Sequence, residues 1–418
     1  MNPRLAANPL SSAAIRAAFP ALRRADSGAA VAYFDGPGGT QVPTAVVDAV
    51  SGYLLTHNAN THWDYPTSRE TDLALEAARG ALADLVGGTA GEIAFGANMT
   101  TLTFHLARAL GRGLRPGSTV LVTELDHHAN VAPWRALAIE RGVRVRVVRM
   151  DRGTARLDES DFAAALAEEP AVVALGAASN VLGTVTDVAR WTGAAHASGA
   201  LVFVDAVHYA AHALTDVVEF GCDFLACSAY KFYGPHVGVL WGRRELLERL
   251  DFPRLDPAPQ NAPERAETGT QNHEGIVGAA AAVDFLAGLG GAPGKRRERL
   301  RRSFERLGRR SDELGDRLRA GLEEVPGVTV HGPASGPRTP TVSFTVAGRD
   351  ARDVARWLAD ERALYLSHGD FYAPTIIDRF GSPPGGFVRA GCACYTTGEE
   401  VDRLVRAVGE LATRGRAA

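Results

Sequence analysis

Residues 222–243 read Cys-Asp-Phe-Leu-Ala-Cys-Ser-Ala-Tyr-Lys-Phe-Tyr-Gly-Pro-His-Val-Gly-Val-Leu-Trp-Gly-Arg. An apolar β-type run, Phe224 to Cys227, leads to Lys231. Gly234-Pro235 follows, then a second apolar run, Val237 to Trp241. The pattern predicts two strands with a lysine at the turn between them. The chain has only two lysines, Lys231 and Lys295, among many arginines. A composition that writes Arg wherever a positive charge suffices keeps Lys where the chemistry differs. A primary amine can lose its proton and attack a carbonyl; a guanidinium cannot. Lys295 stands in an arginine run and reads as a solvated charge. On this stretch alone a structural lysine in a turn is the plainer reading of Lys231, so the decision rests on its surroundings.

Working upstream, short apolar runs alternate with helical spacing. The runs are Ile93–Gly96, Thr119–Thr123, Arg144–Arg149, Ala171–Gly176, Leu201–Asp205 and Asp223–Ser228; the helices between them fall at 100–112, 131–141, 158–168 and 187–198. Non-alternating apolar strands separated by helices indicate an α/β fold with a mainly parallel sheet covered on both faces. Such sheets bind ligands at the carboxyl ends of their strands. Downstream, 253–275 reads as a loop, a helix at 276–289 ends at Gly290-Gly291, and 295–324 reads as a basic, solvated linking helix. Strands at Val328–His331, Thr341–Val346 and Phe387–Ala390, with helices at 350–361 and 398–412, give a smaller α+β unit. The expected organisation is an N-terminal arm (1–30) packing on the small domain, a large domain (31–290) and a small C-terminal domain (291–418). A length of 418 residues suits two domains.

Composition removes several functions. A net charge of -3 gives no reason to expect nucleic acid or membrane as partner. No apolar run approaches the roughly 18 residues of a membrane span, and the N-terminus lacks a signal peptide's apolar core. Four cysteines without a ladder of spacings suggest a reducing cytoplasm. Cys392-Ala-Cys394 is too short for a zinc site, and no metal site is expected.

The polar residues at the strand ends are individually ordinary. Asp205 closes an apolar strand and needs a hydrogen-bonded or cationic partner; a helix cap would also explain it. His127, in Asp126-His127-His128, suits stacking on a flat ligand better than metal binding. Gly96-Ala-Asn-Met99-Thr100-Thr101 joins a strand to a helix and suits a phosphate at the helix N-terminus. Together they describe one site with a reactive lysine, a carboxylate, an aromatic stack and a phosphate cup. Pyridoxal 5'-phosphate needs this set: the lysine holds the aldehyde as a Schiff base, and the carboxylate keeps the pyridine nitrogen protonated.

The chain resembles the class V branch of fold-type I pyridoxal phosphate enzymes, and most closely the SUF-type cysteine desulfurases and their desulfurase-like relatives. The resemblance spans about Tyr33 to Leu404. It rests on Tyr-Phe-Asp-Gly-Pro-Gly-Gly (33–39), Asp-His-His-Ala-Asn-Val-Ala-Pro-Trp (126–134), Ser-Asn-Val-Leu-Gly-Thr (179–184), Val-Asp-Ala-Val-His (204–208), Ser-Ala-Tyr-Lys-Phe-Tyr-Gly-Pro-His-Val-Gly (228–238), Glu-Thr-Gly-Thr-Gln-Asn (267–272) and Arg-Ala-Gly-Cys-Ala-Cys-Tyr-Thr-Thr-Gly-Glu-Glu-Val (389–401). It implies that Lys231 forms the internal aldimine and shuttles the substrate's α-proton. By the same resemblance, Asp205 would pair with the pyridinium nitrogen and His127 would stack on the ring. Met99, Thr100 and Ser228 would bind the phosphate, and Asn180 and His208 would lie near the phenolic oxygen or the substrate. The family has Gln at the position of His208 and usually His at that of Tyr230, so those two cofactor contacts differ from the pattern. The resemblance also implies that Thr270 would reach the phosphate of a neighbouring subunit, hence a homodimer, and that Arg389 would clamp the α-carboxylate of an amino-acid substrate.

One departure bears on the reaction. The loop that carries the desulfurases' nucleophilic cysteine reads Ser367-His-Gly-Asp-Phe-Tyr372-Ala-Pro here, with Tyr372 at the cysteine position. A phenol cannot become a persulfide. The expected reaction is therefore β-elimination from cysteine or an S-substituted cysteine through an external aldimine. The alternatives are a desulfurase with Cys392 or Cys394 as relocated nucleophile, a transaminase or epimerase, and, least in keeping with the residues, a non-catalytic cofactor-binding protein. Loops at 57–68, 253–275 and 367–385 read the substrate's side group, which puts His62 and Tyr372 among the substrate-facing residues.

Overall fold

The computed structural model describes residues 11–414 apart from 27 and 292. A seven-stranded sheet runs in the order Ile93–Gly96, Gly238–Gly242, Phe224–Ser228, Leu201–Asp205, Val172–Gly176, Thr119–Thr123, Arg144–Val148. The last five are mutually parallel. Gly238–Gly242 alone runs against both its neighbours, because only the tight Lys231–Val237 turn separates it from the strand before. A parallel return requires a crossover of a dozen or more residues.

The central strands are apolar throughout because both faces are covered. Leu121, Val173, Val202 and Leu225 enter one core, which the helices Pro66–Val86, Val188–Ala197 and His273–Gly288 complete. Val120, Val172, Phe203 and Phe224 enter the other, beneath the helices Met99–Gly111 and Ala132–Arg141. A second, antiparallel sheet of four strands, Val328–His331, Thr341–Val346, Phe387–Gly391 and Ser367–Gly369, has its own core under the helices Ala351–Arg362 and Gly398–Thr413. The basic helix is not merely a solvated linker. It runs Arg296–Glu323, and places Leu300, Phe304 and Leu307 in the first core and Leu314, Leu318 and Leu322 in the third. Most of its charges occupy the opposite face, with Arg319 the buried exception.

Several boundaries differ from the sequence expectation. The loop expected at 57–68 ends early, because a helix begins at Pro66, whose fixed φ suits a first helical position. The large unit expected from residue 31 opens on a two-residue pairing, Ala32–Tyr33 beside Leu364–Tyr365. That pairing carries the next loop, Asp35–Gly39, against the small sheet, where Gly391 N donates to Phe34 O. The first ten residues of the expected N-terminal arm lie outside the described residues. From Ser11 onward, Phe19 packs edge-on against Tyr233, Phe285 and Tyr395. Among the described residues no helix is long and apolar enough to cross a membrane.

Candidate active site

The carboxyl ends of the parallel strands open on a cavity of about 650 Å³. Ile93–Gly96 delivers Asn98–Thr100, Thr119–Thr123 delivers Asp126–His128, and Val172–Gly176 delivers Asn180. Leu201–Asp205 ends in Asp205 and Phe224–Ser228 in Ser228, with Lys231 in the turn that follows. Two glycines allow this convergence. A Cβ on Gly238 would lie 2.4 Å from the Asn98 carbonyl carbon, and one on Gly176 would lie 2.9 Å from Asp126 Oδ1.

Lys231 is largely enclosed. Burial first, and then the nearby Arg389 charge, lower its pKa from 10.5 to about 8, against the opposing pull of Asp35 and Asp205. Its Nζ donates to the carbonyls of Pro37 and Gly38. Asp205 is buried, which raises its pKa from 3.8 to about 6, offset in part by the Val207 amide and by Lys231. Among the described residues only that amide donates to it, at 2.9 Å. His127 Nδ1 accepts from Ala129 N at 3.0 Å, so its ring proton sits on Nε2. Burial and the cations Lys231 and Arg389 hold the ring neutral, with a pKa of about 4.

At the helix N-terminus, Met99 N donates to Ser228 Oγ at 3.0 Å, which leaves the Ser228 hydroxyl proton to turn toward the cavity. The Asn98 side chain caps Thr101 N and Oγ1. Thr100 is exposed on the cavity wall. Tyr230 lines the same end and stacks on His236, with ring centroids 4.8 Å apart and planes 17° apart.

The small-sheet end of the site is closed upon itself. Arg389, 3% exposed, is not on the cavity wall. Its Nη2 donates to Asp35 Oδ1 (3.1 Å) and Ser367 Oγ (3.0 Å), its Nη1 to the Asn180 carbonyl (3.1 Å). The Phe371 ring covers the guanidinium, 4.1 Å from centroid to Cζ. Phe371 packs there rather than beside Tyr372 on the cavity wall. Asn180 Nδ2 donates to Phe371 O at 3.0 Å, while Asn180 Oδ1 is buried and has no partner among the described residues. Tyr372 stands at the cavity mouth, 72% exposed, its ring tilted 40° from His127 at 5.5 Å.

His208 borders the cavity, but its Nε2 faces Thr339 Oγ1 (2.9 Å) and Thr341 Oγ1 (3.1 Å) of the small sheet. His62 is not brought in: it lies on the surface beside Asp72 and Glu264. Thr270, expected to serve a neighbouring copy's site, is exposed outside this cavity. Sequence reading also left three residues without a role. His236 follows the lysine turn. Asp35 lies in the Gly-rich loop motif. Asp126 is a buried carboxyl raised to about 7 by burial, with the Asp205 charge adding to it against the Thr123 hydrogen bonds. A polar residue inside a quoted motif was the available signal for each.

The donors and acceptors fit pyridoxal phosphate. A buried carboxylate with an open face suits the ring's N–H, the Ser228–Thr100 helix end suits a phosphate, and Lys231 suits the aldehyde. Fold and site together define a fold-type I, pyridoxal phosphate-dependent enzyme. The family profile described as Aminotransferase class-V matches residues 32–404, and the chain belongs to that family. A cysteine desulfurase of Pectobacterium atrosepticum is 32% identical over 407 residues, which cover 94% of this chain and 95% of the relative. One of Dickeya dadantii is 33% identical, with 94% of each chain covered. Among solved structures, an apo cysteine desulfurase from Thermococcus onnurineus superposes with a TM-score of 0.84 at 28% identity, covering 92% of this chain and 95% of that one. A cysteine desulfurase from Escherichia coli gives 0.82 at 28% identity, with 97% and 98% covered.

Proposed function

We propose that this enzyme cleaves the C–S bond of cysteine or an S-substituted cysteine by β-elimination, releasing hydrogen sulfide or the corresponding thiol, and that water hydrolyses the remaining aminoacrylate to pyruvate and ammonia. The observation that carries the reading is the state of the thiols. All four cysteines are buried, burial pushes each up to about 12, and none lines the cavity. The nucleophile for sulfur transfer must be a thiolate that can reach the substrate. The loop position that carries it in the desulfurases holds Tyr372.

Bound pyridoxal phosphate supplies an electron sink for the carbanion formed at the substrate's α-carbon. Lys231, with its ammonium disfavoured by burial, takes the α-proton as a neutral amine. Asp205 holds the proton on the ring nitrogen. His127, neutral and fixed by Ala129 N, forms a flat wall over the ring. Once the α-proton has left, the Cβ–S bond breaks with its electron pair on sulfur, and the Tyr372 hydroxyl at the mouth protonates the thiolate. Arg389 receives the substrate carboxylate.

The same reading divides the chain into a cofactor-binding unit, 31–290, and a smaller unit, 291–418. It also pairs two copies so that Thr270 completes the neighbour's phosphate site. Exposed apolar side chains on the helices beside that segment and on the loop between them support the pairing: Leu54, Leu55, Trp63, Tyr65 and Leu73.

The test is product identification by mass spectrometry with cysteine and a bulky S-alkyl cysteine. Pyruvate and free thiol from the S-alkyl substrate are expected. Alanine together with a protein persulfide would overturn the elimination.

A further inference from the structure

A guanidinium carries five N–H donors. In Arg389 both Nη2 donors are engaged, by Asp35 Oδ1 and Ser367 Oγ, and Nη1 serves the Asn180 carbonyl. Nε has no partner among the described residues. One Nη1–H also remains. These two free donors point away from different edges of the group, so neither edge offers two open N–H bonds side by side. A bidentate carboxylate needs such an edge. Phe371 closes one face as well.

The three groups around Nη2 form a closed triangle, because Ser367 Oγ also donates to Asp35 Oδ1 at 2.7 Å. Its members differ in exposure. The Arg389 side chain is 4% exposed and that of Asp35 44%. Asp35 can turn into water at little cost, whereas Arg389 cannot leave. The loop that Asp35 opens reaches the other cation of the site too, since Pro37 O and Gly38 O accept from Lys231 Nζ.

We propose that Asp35 is an internal stand-in for the substrate's α-carboxylate, and that an α-amino acid binds by displacing it from Arg389. The proposal rests on Arg389 being the carboxylate clamp. Under it, Asp35 determines specificity. An amine without a carboxylate gains nothing from the exchange, and an α-amino acid binds only as tightly as its carboxylate outcompetes that of Asp35.

The experiment is an absorbance titration of the cofactor-loaded enzyme with alanine, which has no β-leaving group, and with ethylamine, its decarboxylated counterpart. Asp35→Asn is expected to bind alanine about three- to fivefold more tightly than the parent, the scale of a half-exposed ion pair, with ethylamine unchanged. Ser367→Ala, which keeps Asp35 but frees one Nη2 donor, is expected to tighten alanine by a smaller factor and keeps the proposal testable should Asp35→Asn not fold. Equal or weaker alanine binding in both variants overturns the exchange. Arg389→Gln separates the two ideas. If it loses alanine binding while the other variants do not tighten, only the exchange is wrong; if it binds alanine like the parent, the clamp is wrong and the exchange falls with it.

Discussion

At the large-sheet end of the cavity, Asp205 has one backbone partner, the Ser228 hydroxyl keeps its proton free, and Thr100 faces solvent. At the small-sheet end, Arg389 is held by three partners and roofed by an aromatic ring. The first end is open polar chemistry on strand ends that a covered sheet holds rigid. The second is satisfied by groups from distant segments, Asp35, Asn180 and Ser367. A cofactor that stays bound can use a preformed, open cup. On the proposed reading, a substrate that comes and goes would meet groups that are paired in its absence, so that no buried charge is left alone between turnovers.

The open end breaks most completely at Lys231. Lys231→Ala is expected to lower turnover by about 10⁴-fold or more, as loss of both covalent anchor and base implies. The cofactor should wash out on gel filtration; retained turnover would refute the assignment. Asp205→Asn comes next. Removing the anionic half of a buried charge pair costs about 3 kcal/mol, so cofactor affinity should fall by roughly two powers of ten, read by fluorescence titration. The same pair gives a pH dependence. Asp205 alone titrates at about 6 and must be ionised to hold the ring N–H. Cofactor affinity should therefore be flat above pH 6 and weaken up to about tenfold per unit below it; affinity that stays flat to pH 4.5 would remove Asp205 from the role.

Stability of the cofactor-free protein sharpens the contrast. Lys231 has a folded-state pKa of about 8 against 10.5 unfolded. Below pH 8 it is charged in both states and the fold bears the cost of burying it. Between 8 and 10.5 the unfolded chain binds the extra proton, so this group's penalty fades as pH rises. Lys231→Met should stabilise the cofactor-free protein at pH 7 by about 3 kcal/mol at most, the energy of a shift of that size, and by progressively less toward pH 10. A gain independent of pH in thermal unfolding would mean that packing, not charge, is responsible.

The two ends were also unequally legible in the sequence. The strand–helix alternation through 93–228 marked the parallel sheet, and residues at strand ends, Asp205, Ser228 and Lys231, follow from where strands stop. A lysine kept in an arginine-rich chain pointed to itself. Local pattern carries no such mark for Asp35 and Arg389, which meet across 354 positions of sequence. The family resemblance pointed to Arg389 as a clamp, yet nothing in the chain says its donors are already engaged. Phe371 and Tyr372 both adopt positive φ, 54° and 56°, a conformation their residue types disfavour; propensity could not place them. The reversal at Gly238–Gly242 was legible only as a short turn, and the helix start at Pro66 falls inside the stretch 57–68 that reads as a loop.

The smallest effect expected concerns the mouth of the closed end. Tyr372 is pinned by its backbone on both sides: its N–H donates to Asp370 Oδ1 at 2.9 Å, and its carbonyl accepts from His128 N at 2.6 Å. A substituted side chain therefore starts from the same point. In Tyr372→Cys the thiol is exposed, keeps an ordinary pKa of about 8.5, and is about one-tenth thiolate at pH 7.5. Cys392 and Cys394, each near 12, stay inert in the same protein. With cysteine as substrate the variant is expected to divert a minor fraction of turnover: sulfur passes from the substrate to the new thiolate, giving a persulfide on residue 372 and alanine in place of pyruvate. Peptide mass spectrometry locates the added sulfur. If the persulfide appears on Cys392 or Cys394, in the variant or the parent, burial does not silence those thiols. If alanine forms in the parent at the same level, the tyrosine is not what separates this enzyme from sulfur transfer.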